Sequence, residues 1–129
     1  MQKLYAIEGL GGELGAWLRT PLREAGFDVK WFPWWWPFIK IPSDAILIGH
    51  SFGAARALKV AAIYLPKKLI TIDARLNPSG GFTAPVECVN FYQTGFMRGY
   101  PVKEATNILV EGYRHTAMPS NPEILKHLK

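Results

Sequence analysis

The chain has 129 residues, enough for one domain with one hydrophobic core, and its 49% hydrophobic and 19% charged residues are typical of a globular rather than a disordered protein. Its net charge of +5 is spread along the chain and forms no basic block, so we expect no nucleic-acid partner. No apolar run reaches the roughly 18 residues of a membrane-spanning helix, and the N-terminus does not resemble a signal peptide. We therefore expect a single cytoplasmic domain over residues 1–129.

Short β-branched or aromatic runs alternate with helical segments, which is the pattern of a parallel sheet with crossover helices. In chain order, we predict strand 4–8, helix 13–25, strands 27–32 and 45–48, helix 53–65, strands 69–72, 87–92 and 108–110, and helix 122–128. Pro21 falls inside the first predicted helix and is expected to kink or divide it, and Asn121 is a plausible N-cap of the last. The expected fold class is α/β, with a mainly parallel sheet of about six strands and few flanking helices.

Two connections, 74–85 and 94–107, are rich in glycine and proline and lack helical periodicity. Parallel strands require a crossover at both places. We expect these crossovers to be irregular or to contain only short helical turns.

Cysteine and histidine are too few and too scattered for a metal site. The single cysteine, Cys88, lies in an apolar run typical of a strand, and the histidines are His50, His115 and His127. Their spacing matches no zinc-binding pattern. We expect no metal, no organic cofactor and a buried, unreactive thiol.

The most informative segment is 48–53, Ile-Gly-His-Ser-Phe-Gly, which joins an apolar strand directly to an alanine-rich helix. Its Gly-x-Ser-x-Gly pattern fits a sharp strand-to-helix turn that pushes a strained serine out of the sheet, where small flanking residues avoid collisions. The following helix N-terminus favours negative charge developing at the hydroxyl. We predict that Ser51 is a nucleophile. The alternative is a tight turn whose glycines serve close packing.

His115 is the predicted general base, by elimination. His50 adjoins the nucleophile, so its side chain is expected to diverge from Ser51, and His127 lies in the terminal helix. His115 follows the last predicted strand at its carboxyl end, the edge where α/β sheets collect their sites. The alternative is a histidine in a surface loop.

Asp73 is the predicted partner of His115, because a carboxylate there would hold the imidazole tautomer and stabilise its cation. Asp28 and Asp44 precede or begin strands at the opposite edge, whereas Asp73 ends the strand beside the nucleophile strand. Glu111 and Glu8 also fall at carboxyl ends of strands. They stay open as alternatives, as does an Asp73 that only caps a loop.

Together these segments resemble the α/β-hydrolase superfamily over most of the chain. Residues 6–12 are similar to the family's first conserved strand and oxyanion loop, 48–53 to its nucleophile elbow, and 107–115 to its last strand and catalytic-histidine loop. The chain departs from the family at Glu8, where a histidine is usual, and in lacking the N-terminal strand pair and several crossover helices. The family's acid more often follows the next strand, although some lipases use the position of Asp73. The resemblance therefore implies a minimal, lipase- or esterase-like member.

The resemblance implies hydrolysis of a carboxylic ester through an acyl-enzyme, although the same apparatus cleaves thioesters and amides. It also implies an oxyanion hole made by the backbone N–H groups of Leu10 and Phe52, with Gly11 as a substitute for Leu10. Two rival interpretations are a non-catalytic hydrolase-fold module that binds an apolar ligand or a membrane, and an interaction protein within a larger assembly. The oligomeric state stays open.

A tryptophan-rich segment follows the second predicted strand on the same edge of the sheet. We expect Trp34, Trp35 and Trp36 to form a hydrophobic wall or lid over Ser51, suited to the acyl chain or aromatic group of a small lipid-like ester. Three alternatives are docking on a membrane surface, a dimer contact, and aromatic rings that replace missing helices as core.

Overall fold

The computed structural model describes residues 1–74 and 83–128. Within these ranges the elements are, in chain order, β1 (Lys3–Glu8), α1 (Glu13–Glu24), β2 (Asp28–Pro33), β3 (Ile46–His50), α2 (Phe52–Tyr64), β4 (Lys68–Ile72), β5 (Cys88–Tyr92), β6 (Thr106–Leu109), a 3₁₀ helix (His115–Ser120) and α3 (Pro122–Leu128). The predicted α/β class is confirmed.

The strands form one six-stranded, all-parallel sheet in the order β2-β1-β3-β4-β5-β6. The chain steps from β1 outward to β2, returns to β3 on the other side of β1, and then continues outward to β6. This reversal opens a crevice at the carboxyl ends of β1 and β3, where α/β sheets characteristically bind ligands. Residues 9–12 and 51–53 follow these two strand ends.

Apolar side chains cover both faces of the sheet, which explains why β1, β3 and β4 read as nearly continuous apolar runs. No described helix has the length and apolar character that a bilayer crossing requires. The side of α2 that packs on one face contributes Ala54, Ala57, Leu58 and Ala61 to the core, with Tyr5, Ile7, Leu47 and Leu69 from the strands. The other face is covered by Leu14, Leu18 and Leu22 of α1 and Ile124 of α3, above Leu4, Ala6, Ile48 and Ile70.

The helix ends and crossovers follow local sequence rules, with one difference. α1 continues through Pro21 as one helix, and the N–H of Ala25 donates to the Pro21 carbonyl over 3.0 Å. Asn121 caps α3, because its Oδ1 accepts the N–H of Glu123 at 3.0 Å. The crossover 94–107 contains no helix, as expected. Most of the crossover 74–85 lies outside the described residues.

Two glycines allow α2 to approach the sheet closely. A Cβ on Gly53 would lie 2.1 Å from the carbonyl oxygen of Ile7, and a Cβ on Gly49 would lie 2.4 Å from that of Gly53. Both obstructing atoms belong to the backbone, so no side-chain rotation can relieve the contact. Gly53 is therefore required by the packing of α2 against β1, and Gly49 by the packing of β3 against the start of α2.

We expect Gly53→Ala to lower the free energy of unfolding by about 1–3 kcal/mol, because the added methyl group overpacks the contact with Ile7. Helix propensity alone predicts the opposite sign, a gain of up to about 1 kcal/mol. Urea denaturation measures the difference. Ala62→Gly is the control, since it measures the effect of helix propensity alone at an exposed position of the same helix. A Gly53→Ala protein as stable as the wild type would contradict the close approach of α2 to β1.

Candidate active site

Ser51 occupies the turn between β3 and α2 in a strained backbone conformation, with φ 60° and ψ −123°. Non-glycine residues rarely adopt such angles, and they persist only where the surrounding structure enforces them. The Ser51 N–H donates to the Ile72 carbonyl over 3.0 Å, and the Ser51 carbonyl accepts the N–H of Ala54 at 3.0 Å. The turn is thus fixed on one side by β4 and on the other by α2.

Asp73 and His115 form a buried pair at the same edge of the sheet. His115 Nδ1 lies 2.6 Å from Asp73 Oδ2, and the two residues are 5% and 0% exposed. Asp73 directly follows β4, and His115 begins the 3₁₀ helix that comes after β6. A proton on Nδ1 donated to the carboxylate leaves Nε2 unprotonated, which is the tautomer that a general base requires.

Three further hydrogen bonds hold the Asp73 carboxylate. The backbone N–H and side-chain amide of Gln93 donate to its two oxygens over 3.1 and 2.8 Å, and the N–H of Gly99 donates over 2.6 Å. A Cβ on Gly99 would lie 2.5 Å from Asp73 Oδ1, so only glycine fits. No role was predicted for Gln93 or Gly99. The one signal in the sequence was the polar side chain of Gln93 at the carboxyl end of β5.

The two alternative acids are placed differently. Glu8 Oε1 accepts the N–H of Gly15 at 2.8 Å and thereby caps the first turn of α1. Glu111 is exposed. Within residues 1–74 and 83–128, Asp73 is thus the carboxylate in contact with His115.

His50 contacts both the backbone and the ring of His115. Its Nε2 lies 2.9 Å from the backbone oxygen of His115, and the two rings stack with centroids 4.8 Å apart. Burial, together with the nearby His115, lowers the pKa of His50 to about 4, so its ring is neutral at physiological pH. Its Nδ1 is buried without a hydrogen-bond partner in the described part of the chain. The sequence analysis missed this contact, because it considered only whether His50 turns away from Ser51.

Ser51 and His115 share this edge without a direct hydrogen bond. In the described ranges, His115 Nδ1 is bonded to Asp73, and no hydrogen bond joins the His115 ring to Ser51 Oγ. Ser51 is 4% exposed and lies under Gly9, where a Cβ would come within 2.9 Å of the Ser51 Cβ. Catalytic hydrogen bonds are often long or poorly aligned in the absence of substrate and tighten when it binds.

Leu10 and Phe52, the predicted oxyanion donors, flank the crevice between β1 and β3. Phe52 is the first residue of α2, so its N–H has no acceptor within the helix. Neither of the two N–H groups donates to another residue that the structure describes. The close contact of Gly9 with Ser51 brings the loop 9–12, and with it Leu10, to the serine.

The tryptophan segment has a packed part and an exposed part. Trp34 is half-buried, with its ring centroid 5.5 Å from that of Phe52, and its carbonyl accepts a hydrogen bond from Arg56. Trp35 and Trp36 are 60% and 41% exposed. A hollow of about 420 Å³ beside α2 is lined by Trp34, Trp35, Phe52, Ala55, Arg56 and Lys59. Trp34 and Trp35, two of the three predicted substrate-binding tryptophans, therefore border this hollow. Phe52, the residue after Ser51, borders it as well.

A second hollow, of about 320 Å³, borders His115 and shares no lining residue with the hollow beside Phe52. Its walls come from the loop after β5 and from the segment that leads to the 3₁₀ helix. They are formed by Gln93, Gly95, Phe96, Met97, Tyr113, Arg114, His115 and Thr116. Phe52 and His115 thus each border a hollow.

The remaining sequence candidates lie away from this edge or are unreactive. His127 in α3 packs its ring edge-on against Phe91. Cys88 is buried, and burial raises the pKa of its thiol to about 11, so it stays protonated. The described residues contain no group of three or more side chains suited to hold a metal ion.

A scan of protein-family models gives no match to the chain, and no curated protein sequence matches it significantly. The geometry of the site is therefore the basis for a functional assignment.

We expect His50 to make the fold sensitive to mild acid. Its pKa is 6.5 in the unfolded chain and about 4 in the folded protein, so between these values the unfolded chain binds a proton that the folded protein excludes. The contribution of neutral His50 to the free energy of unfolding is fully present above pH 6.5. As the pH decreases from there towards 4, this contribution falls by about 1.4 kcal/mol per pH unit.

Urea denaturation between about pH 7 and pH 5 measures this loss. His50→Gln keeps an N–H donor for the His115 carbonyl but does not titrate, so its stability should fall less steeply with pH. Equal slopes for the two proteins would contradict a neutral, buried His50.

Proposed function

We propose that the protein is a serine hydrolase of the α/β-hydrolase type, which cleaves a carboxylic ester through an acyl-enzyme. The main support is the buried Asp73–His115 pair, 2.6 Å apart, at the sheet edge that also carries Ser51. The three residues follow three different strands, β4, β6 and β3. Their convergence therefore depends on the whole fold and not on one local motif.

A buried Asp–His pair alone also fits a purely structural ion pair. Ser51 provides an independent argument, because its φ of 60° and ψ of −123° lie outside the left-handed helical region that the helix end at Leu65 adopts. Strained conformations of this kind cluster at active sites, where the strain positions a reacting group. The pair and the strained serine together favour catalysis.

In the proposed reaction, Ser51 Oγ attacks the ester carbonyl carbon while His115 Nε2 accepts its proton. The N–H groups of Leu10 and Phe52 donate to the negative oxygen of the tetrahedral intermediate. Collapse of this intermediate expels the alcohol, which takes the proton from His115. Water then loses a proton to His115 and attacks the acyl-enzyme, which releases the acid and restores Ser51.

Asp73 and His50 have complementary effects on His115 in this scheme. Asp73 fixes the Nδ1–H tautomer and stabilises the imidazolium that forms when Nε2 accepts a proton. His50 stacks on the same ring, and because its pKa is lowered to about 4 it adds no repelling charge. The uncharged His50 thus allows His115 to become cationic during the reaction.

The hollow beside Phe52 favours an ester with an apolar acyl or aromatic group. Trp34 and Trp35 provide aromatic walls, and Arg56 and Lys59 lie at the side formed by α2. Trp36 does not line this hollow, so we assign substrate contact to Trp34 and Trp35 alone. Thioesters and amides of the same shape are chemically accessible to the same apparatus.

We expect a fluorophosphonate to phosphonylate Ser51 in the purified protein, with fluoride as the leaving group. His115→Ala should abolish labelling because no base remains, and Asp73→Asn should slow it by roughly three to four orders of magnitude because the wrong tautomer is favoured. Intact-mass measurement followed by peptide mapping gives the site and the rate.

Ser51→Ala must lose the adduct, whereas Ser43→Ala, which removes an exposed serine before β3, must keep it. Equal labelling of wild type and His115→Ala would contradict the proposed base. A folded wild-type protein that gives no adduct would favour the rival interpretation, a binding module with a hydrolase fold.

A further inference from the structure

The segment after β2 and the adjoining side of α2 carry several exposed apolar side chains on one surface, called here the aromatic face. Its most prominent members are Trp35, Trp36, Phe38 and Ile63, which are 60%, 41%, 80% and 71% exposed. Phe38 and Ile63 line one hollow on this side, and Trp35 lines its neighbour. The two hollows share Arg56 and Lys59 as lining residues, so they form one surface.

The aromatic face is also cationic. Lys40 and Arg56 line its hollows, and none of the described residues that line them is acidic. From residue 29 to residue 72 the sequence contains one carboxylate, Asp44, which is near Lys3 at the opposite edge of the sheet. The hydrogen bond that Arg56 makes here is to the uncharged carbonyl of Trp34, so its positive charge is not neutralised by that contact.

We propose that the aromatic face docks the protein on an anionic lipid bilayer. Tryptophan is favoured at the boundary between headgroups and acyl chains, where its ring meets apolar chains and its N–H meets polar groups. Lysine and arginine near the surface are attracted by anionic headgroups. Exposed rings flanked by cations provide both interactions on one side of the molecule.

The other occupants of such a surface fit less well. A second copy of the chain in a two-fold dimer would place the same patch against itself, and the cations of both copies would face one another. An ester bound in the hollow beside Phe52 would still leave Trp36 uncovered, because this ring lines neither hollow. A bilayer covers the whole face and supplies the negative charge that the face lacks.

Docking does not depend on the proposed catalysis, so it is measured with Ser51→Ala protein. We expect this protein to co-sediment with vesicles of equimolar phosphatidylcholine and phosphatidylglycerol, and to bind phosphatidylcholine vesicles at least about tenfold more weakly. Added salt should weaken the binding. Brominated acyl chains should quench tryptophan fluorescence, which shows that rings enter the bilayer.

Variants locate the surface. Trp35→Ala combined with Phe38→Ala should lower the partition coefficient at least about tenfold, and Lys40→Gln should lower it only on anionic vesicles. Phe96→Ala and Lys103→Gln are the controls, because both residues are exposed and lie on loops outside this face. All five substituted residues are exposed, so the variants should stay folded, which circular dichroism checks.

Equal binding to neutral and anionic vesicles, or equal losses in the control variants, would overturn the proposal. A concentration-dependent dimer that Trp35→Ala with Phe38→Ala abolishes, together with no vesicle binding, would assign the face to a second copy instead. Failure of Ser51 to react with a fluorophosphonate would leave vesicle binding unaffected, so the two proposals fail separately.

Discussion

The buried carboxylate of Asp73 is the constraint on which the carboxyl edge of the sheet depends. A buried charge is costly unless it is paired and hydrogen-bonded. Asp73 meets this requirement with four donors: Nδ1 of His115, the backbone N–H of Gln93, the side-chain amide of Gln93, and the N–H of Gly99. These donors belong to the chain after β5 and after β6. The carboxylate therefore holds together the loop after β5 and the segment after β6, and in doing so it positions His115.

The other half of the edge is organised by backbone contacts. Gly53 lets α2 approach β1, Gly49 lets the start of α2 lie close to β3, and Gly9 lets the first loop pass over Ser51. Glu8 caps α1 through Gly15 and so fixes both ends of that loop. In this way a domain of 129 residues places three loops around one serine with few connecting helices.

Much of this arrangement could be predicted from the sequence, because the governing interactions are local or follow from topology. The apolar runs predicted every strand of the described sheet within a few residues. The Gly-x-Ser-x-Gly pattern predicts Ser51, and the parallel order brings the residues after β4 and β6, among them Asp73 and His115, to the same edge. The contact between Asp73 and His115 was predicted, whereas their catalytic roles stay a proposal.

The supporting contacts could not be predicted from the sequence, for physical reasons. Gln93 and Gly99 reach Asp73 through an irregular loop, and such a path has no periodicity to reveal it. The stacking of His50 on His115 depends on the direction of a side chain at a strained turn. The division of the tryptophans into packed Trp34 and exposed Trp36 depends on where α2 lies, which composition does not determine.

The most direct test of the account is proton NMR of the histidine ring in the pair formed by Asp73 and His115. In protein labelled with ¹⁵N-histidine, we predict a far-downfield, exchange-protected Nδ1–H resonance of His115 that persists at neutral pH. It should vanish in His115→Gln and move upfield in Asp73→Asn, while the ring of His50 keeps its neutral shifts. A His115 ring N–H that exchanges freely with water, with a resonance that Asp73→Asn leaves unchanged, would contradict the account.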